Sequence, residues 1–205
     1  MRLDELPINA FDLTLVLVLI GGLLVGRKHG MSQELIGVLK WVAILFVCSA
    51  IYEPGGEFVK GFTHVFGLLA CYLIAYLAGA AVIMILFALA KRLLGGKLIG
   101  SDAFGRAEYY LGMGSGLVRA SCIVVFALAL LNARYFSPTE IKAMQRFQDD
   151  VYGSNYFPTL SSVQRTVFEK SICGSWIKQN LSFLLIKPTP PDTTALHQKD
   201  AALPY

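Results

Sequence analysis

The sequence predicts an all-α membrane protein: about four transmembrane helices, then amphipathic helices and a disordered C-terminal tail. Three observations carry this expectation. Of the 205 residues, 55% are hydrophobic and only 16% charged, where a soluble domain carries about 25% charged residues. The mean hydropathy is +0.58. The apolar residues also gather in blocks whose length approaches the roughly 20 residues that match a bilayer's hydrocarbon thickness, which separates membrane spans from an oily soluble core.

The blocks cover about residues 11–26, 35–52, 65–90 and 111–133. Block 65–90 has no charged residue, whereas the others hold Asp12, Lys40 and Arg119 respectively. The first two are short for a span, so tilted, interfacial or re-entrant geometries stay open for them. A secretory signal is the competing reading of the first block. Only Arg2 precedes it as a basic residue and no A-x-A-like site follows, so a retained span is expected. Residues 1–135 thus form a transmembrane domain, 136–186 an amphipathic helical segment and 187–205 a disordered tail.

Charge sets the expected orientation. The connection between blocks one and two holds Arg27 and Lys28, and that between three and four holds Lys91, Arg92, Lys97 and Arg106. The opposite side has Arg2 and Lys60. Positive-inside bias therefore puts the N-terminus, the 53–64 connection and the C-terminal segment outside, with Arg134, Lys142 and Arg146 discounted because long tails translocate largely regardless of charge. The net charge of +4 is explained by anionic headgroups and calls for no nucleic acid.

Beyond the fourth block, Ser137, Pro138 and Glu140 read as an N-cap, a first-turn proline and the carboxylate of a capping box. Ile141, Met144, Phe147 and Val151 then build one apolar stripe, bounded by Gly153 and Pro158. A second amphipathic segment, 160–186, carries Leu160, Val163, Val167, Ile177, Leu181 and Leu184, with an interruption expected near Gly174. Both segments suit the membrane surface, a partner, or the chain's own spans. The proline-rich end, KPTPPDTTALHQKDAALPY, has no periodicity and is expected to be disordered.

Helical spacing sorts the polar residues within the spans. Gly112, Gly116 and Arg119 share a face, as do Asp12, Gly22 and Gly26, and likewise Gly30, Glu34, Gly37 and Trp41. Each stripe combines small residues, which let helices approach closely, with one ionisable group. An arginine inside a span costs roughly 2.5–3.5 kcal/mol unless it finds a partner, a carbonyl or the interface. Two readings follow. Either the glycines pack helices and Arg119 is satisfied by Glu34, by Asp12, by a carbonyl or by snorkelling, or Glu34, Arg119 and Asp12 line a solute or proton path. Lys40 shares the Gly37 face and fits either.

No catalytic constellation accompanies them. His29, His64 and His197 lie apart, without metal-ligand spacing, and Cys48, Cys71, Cys122 and Cys173 form no C-x-x-C pair. Ser115 in GMGSG lacks the strand-to-helix turn of a nucleophile elbow. No enzyme activity, metal or cofactor is expected.

Two motifs resemble those of the colicin V production protein (CvpA) family of bacterial inner-membrane proteins, over about residues 8–135. In GMSQELIGVLKW, residues 30–41, Gly30, Glu34 and Trp41 match the first, although His29 and Gln33 stand where the family commonly has arginine. Leu111, Gly112, Gly116 and Arg119 match the second. Glu108 and Tyr109 stand where an acidic or amide residue followed by arginine is usual, and Ala120 replaces the usual glycine. The resemblance implies a non-catalytic, multi-span inner-membrane protein supporting toxin biosynthesis or export, or envelope homeostasis. It would act through helix packing and contacts with the bilayer, with further copies of itself or with other envelope proteins. The alternative is a small oligomeric transporter or channel using Glu34 and Arg119.

Overall fold

Among the described residues, four helices are long and apolar enough to cross a bilayer, over Ala10–Ser32, Glu34–Phe62, Leu68–Leu93 and Glu108–Asn132. They are seen in a computed structural model that describes residues 9–62, 66–98, 107–153 and 158–190. The first two belong to one element, α1 (Ala10–Phe62), broken at Gly30, whose backbone is non-helical at φ 74° and ψ 168°. α2 is Leu68–Leu98 and α3 is Glu108–Asn132. No strand occurs among the described residues. A bilayer requires this, because an open sheet edge would leave backbone N–H and C=O groups unpaired in hydrocarbon.

The pairing along α3 shows that the two arms of α1 run in opposite directions. In the first arm Gly22 meets Gly116 and Ala120, while Gly26 meets Gly112 and Gly116. In the second, Glu34 meets Arg119 and Trp41 meets Phe126. The first arm is therefore antiparallel to α3 and the second parallel to it. α2 returns antiparallel to the second arm, with Gly79 against Cys48 and Gly56 against Tyr72. The core between them is built from Ile44, Cys48, Tyr76 and Ala129, all at most 2% exposed.

This corrects two expected loops. The connection holding Arg27 and Lys28 is helical on both sides of a one-residue break, and the helix continues past Glu53 and through Pro54 to Phe62. Proline removes a backbone donor and usually ends a helix. Here Tyr52 stands edge-on to Tyr72 with ring centroids 5.7 Å apart, and the bare Gly55 and Gly56 admit Ala75 and Tyr72, so packing against α2 holds the last turns. Residues 63 and 64 of the expected 53–64 connection lie outside the described residues.

The C-terminal segment opens with α4 (Pro138–Tyr152), whose capping box joins Ser137 and Glu140 as the sequence predicts and whose C-cap is Gly153 at φ 64°. α4 stands away from the bundle with Phe147 63% exposed; the side chain of Val151 lies outside the described residues. α5 (Leu160–Arg165) runs into one π-helical turn, Thr166–Lys170, and then α6 (Ile172–Asn180). The interruption falls at Ser171 and not at Gly174, because the Ser171 hydroxyl accepts the Gly174 N–H and caps α6. Val167, Phe168 and Ile177 join the core, so this part packs on the chain's own spans.

The tail expectation also needs revision for residues 187–190. Thr189 exchanges backbone hydrogen bonds with Tyr135 and Ala133, and the Lys187 ammonium lies 2.6 Å from Glu53. The hydrogen bond to Glu53 raises the Lys187 pKa above its ordinary value. Paired backbone and a charged partner hold the chain where composition alone predicts disorder; residues 191–205 lie outside the described residues.

The glycine contacts generate a contrast between neighbours. A Cβ on Gly116 would lie 2.8 Å from the Gly26 Cα, whereas one on Gly114 would meet nothing within 4 Å. Gly116→Ala is expected to destabilise the protein by about 1–3 kcal/mol through overpacking. Gly114→Ala is expected to be neutral or to stabilise by up to about 1 kcal/mol through helix propensity. Unfolding midpoints of the purified protein in detergent distinguish them, and equal shifts would refute the close contact.

Candidate functional site

Arg119 finds its partner at the turned end of the bundle. Its Nη1 donates to Glu34 Oε2 at 2.6 Å, across two elements, and Glu34 is only 3% exposed. The other carboxylate oxygen, Oε1, lies 3.1 Å from His29 Nδ1. Both oxygens of a buried carboxylate are thus occupied, which offsets the desolvation that would otherwise make a lone charge here costly.

Each group is positioned by its element. The break at Gly30 reverses the chain beside Glu108, the first residue of α3, and brings Glu34 of the second arm within reach of Arg119. Its φ lies in the left-handed region that glycine tolerates, and a Cβ there would sit 3.0 Å from Glu108 Oε1. Glu108 in turn accepts the Ser32 backbone N–H at 3.4 Å, supporting the first free donors of the second arm. On the first arm Gly22 and Gly26, and on α3 Gly112 and Gly116, let the two backbones meet. Gly37 leaves room beside the pair, since a Cβ would stand 3.6 Å from Glu34 Oε2 and 3.7 Å from Arg119 Cδ. Trp41 is further down the same face, edge-on to Phe126 with centroids 5.8 Å apart.

A cavity of about 400 Å³ opens beside the pair. His29, Glu34, Lys40, Lys91 and Arg119 supply its ionisable lining, and Ile36, Met84, Phe87 and Ala88 its apolar wall. Ser115 takes no part. Its hydroxyl donates to the Gly112 carbonyl at 2.8 Å inside α3.

Asp12 is not in this cluster. It lies 18 residues before Gly30 in the first arm, about 27 Å away at the helical rise of 1.5 Å per residue. There its Oδ1 accepts the Ser171 hydroxyl at 2.6 Å and the Cys173 backbone N–H at 3.2 Å. Of the partners considered for Arg119, Glu34 is therefore the one the fold supplies, and Asp12 ties the C-terminal segment to the far end. Burial, with Asp12 nearby, pushes the Cys173 thiol up from its ordinary range, which keeps it protonated and a poor nucleophile.

A family model described as Colicin V production protein matches residues 11–163, most of the chain. The chain belongs to the colicin V production protein family. No curated protein and no solved structure matches it. With its four apolar helices this family member is a multi-pass membrane protein. The match takes in the whole cluster from His29 to Arg119 and continues into α5.

In this member of the colicin V production family, two departures from the expected motif acquire local explanations. His29, at a position where arginine was expected, pairs with Glu34. Tyr109, at another, receives the Arg27 guanidinium over its ring at 4.9 Å, a cation–π contact. Sequence reasoning missed the roles of His29, Glu108 and Lys91. Spacing along one helix gave no sign of His29 and Lys91, which meet the cluster across the turn and from another element, whereas Glu108 continues the Gly112 stripe of α3 four residues ahead, outside the apolar block.

Glu34→Gln leaves Arg119 facing a neutral amide and is expected to cost about 3 kcal/mol, the lower end for a broken buried pair because Arg119 is 26% exposed. His29→Gln, at a side chain 45% exposed, is expected to cost under about 1 kcal/mol. Equal unfolding midpoints for the two variants in detergent would contradict the central role given to the Glu34–Arg119 pair.

Proposed function

We propose that this colicin V production family member is a non-catalytic component of the bacterial inner membrane. It supports toxin production or export, or envelope homeostasis, through helix packing and partner contacts. The observation that carries this reading is the state of Glu34: buried, with both oxygens engaged, at the meeting point of both α1 arms and α3. A carboxylate committed in this way works as a clamp between helices and offers no free oxygen to a travelling proton. The exposed apolar side of α4, with Met144 and Phe147, supplies a surface for other envelope proteins or for further copies of the chain.

The basic residues favour an orientation with the turned end in the cytoplasm and with the N-terminus and C-terminal segment in the periplasm. The fold is consistent in putting Asp12 and the C-terminal segment together at the opposite end from Glu34 and Arg119.

A second reading, a small oligomeric solute or proton transporter, draws on the cavity beside the pair. The two separate in reconstituted vesicles. Under the scaffold reading, Glu34→Gln and Arg119→Gln lower protein level and complex recovery from native membranes, and neither wild type nor variant carries a flux above empty vesicles. A flux abolished by both variants at unchanged protein level would support the transporter instead.

Orientation has its own check. In a variant with the native cysteines replaced, Lys170→Cys at an exposed position is expected to react with an impermeant thiol reagent in intact spheroplasts. Labelling only after the membrane is opened would reverse the assigned topology.

A further inference from the structure

The cavity at the turned end carries more charge than a helix clamp requires. Among the described residues its one carboxylate, Glu34, is already held by Arg119 and His29. Two further cations, Lys40 and Lys91, line the same space, and among the described residues neither forms an ion pair. Lys40 is half-buried, with its ammonium 5.8 Å from the centre of the Trp41 ring, and Lys91 is exposed at the mouth. Even with His29 neutral, the lining contributed by the described residues has one negative charge against three positive ones, an excess suited to an anionic ligand.

The three cations come from three elements, Lys40 from the second arm of α1, Lys91 from α2 and Arg119 from α3, and they converge on one space. Arg119 carries five N–H donors and uses Nη1 for Glu34, so its fork retains donors suited to phosphate oxygens. Beside them Met84, Phe87 and Ile36 form an apolar wall. Cations on one side and hydrocarbon on the other match an amphiphile better than a small soluble anion. Basic pockets between transmembrane helices are a recognised way of holding phosphate-bearing headgroups, and about 400 Å³ is within the range that encloses a small ligand.

We propose that this cavity binds the phosphate headgroup of an anionic phospholipid, with Lys40 and Lys91 supplying the charge that selects it and the Met84–Phe87 wall taking the first part of an acyl chain. The shared chemistry is a phosphate oxyanion, and the apolar wall assigns its source to lipid. The proposal goes beyond the scaffold reading and depends only on the cavity.

The test uses the full chain, purified in neutral detergent, with unfolding followed as phosphatidylglycerol, phosphatidylcholine or inorganic phosphate is added. A ligand that binds the folded state raises Tm with concentration. Phosphatidylglycerol is expected to raise it by several degrees, and the other two not. In Lys40→Gln/Lys91→Gln, which breaks no ion pair among the described residues, the Tm in phosphatidylcholine should match wild type. The phosphatidylglycerol concentration needed for half the shift should rise roughly thirtyfold, from about 1 kcal/mol per removed cation near the surface. Equal shifts with the two lipids, or an unchanged dependence in the double variant, would overturn the site. An equal shift with inorganic phosphate would overturn the lipid assignment. If the double variant has a lower Tm in phosphatidylcholine, Lys40→Arg/Lys91→Arg decides: it keeps the charge, and failure to restore the shift overturns the proposal.

Discussion

The structure depends on how closely the first arm of α1 approaches α3. Four glycines, Gly22 and Gly26 on one helix and Gly112 and Gly116 on the other, bring the backbones to a separation at which an added methyl would strike a carbonyl or a Cα. Hydrocarbon offers helices little hydrophobic reason to associate, so dispersion contacts across such a bare seam have to supply much of the attraction. The seam also sets register. With Gly26 on Gly112, the chain reaches Gly30 beside Glu108 and turns there, and the second arm then starts at the level where Arg119 can meet Glu34.

That turn gives the bundle two unlike ends. At one, charge is concentrated: an arginine and a histidine around a buried carboxylate, with two lysines lining the same cavity. At the other, hydrogen bonds fasten the C-terminal segment: Asp12 to Ser171 and Cys173, Asn9 to the Thr166 carbonyl, Asn132 to the Ile186 carbonyl, Gln164 to the Leu131 and Arg134 carbonyls. Most of these join a side chain to a backbone group, which fixes the position of a segment without adding net charge near the membrane. The two ionisable residues that look alike in the sequence, Asp12 and Glu34, therefore do different work. One anchors a segment, and the other closes a helix interface.

Much of the site was legible because its parts repeat at helical spacing. Gly112, Gly116 and Arg119 fall on one face, as do Gly30, Glu34, Gly37 and Trp41, and the fold brings those faces together. Asp12 was grouped with them on the same reasoning and went elsewhere. Periodicity states which residues share a face and is silent on which end of a span meets which neighbour. His29, Glu108 and Lys91 were overlooked for a related reason: a connection read as loop gave no geometry for His29, Lys91 arrives from a separate helix, and Glu108 continues the Gly112 stripe but lies ahead of the apolar block. The same limit applied to residues 53–62, where Pro54 and paired glycines looked like a break until α2 was set against them.

By itself the sequence determined the class of protein, because block length and the scarcity of charge leave only helices able to satisfy their own backbone in a bilayer. It also determined the local signals, from the capping box at Ser137 to the small-residue stripes, since these are contacts within a turn or two of chain. Only the tertiary structure decided that Arg119 pairs with Glu34 and that Asp12 holds the C-terminal segment. It alone showed that two lysines and a histidine share a cavity with the pair. Those outcomes depend on the direction of the chain after Gly30, a single residue whose backbone angles no pattern of hydrophobicity encodes.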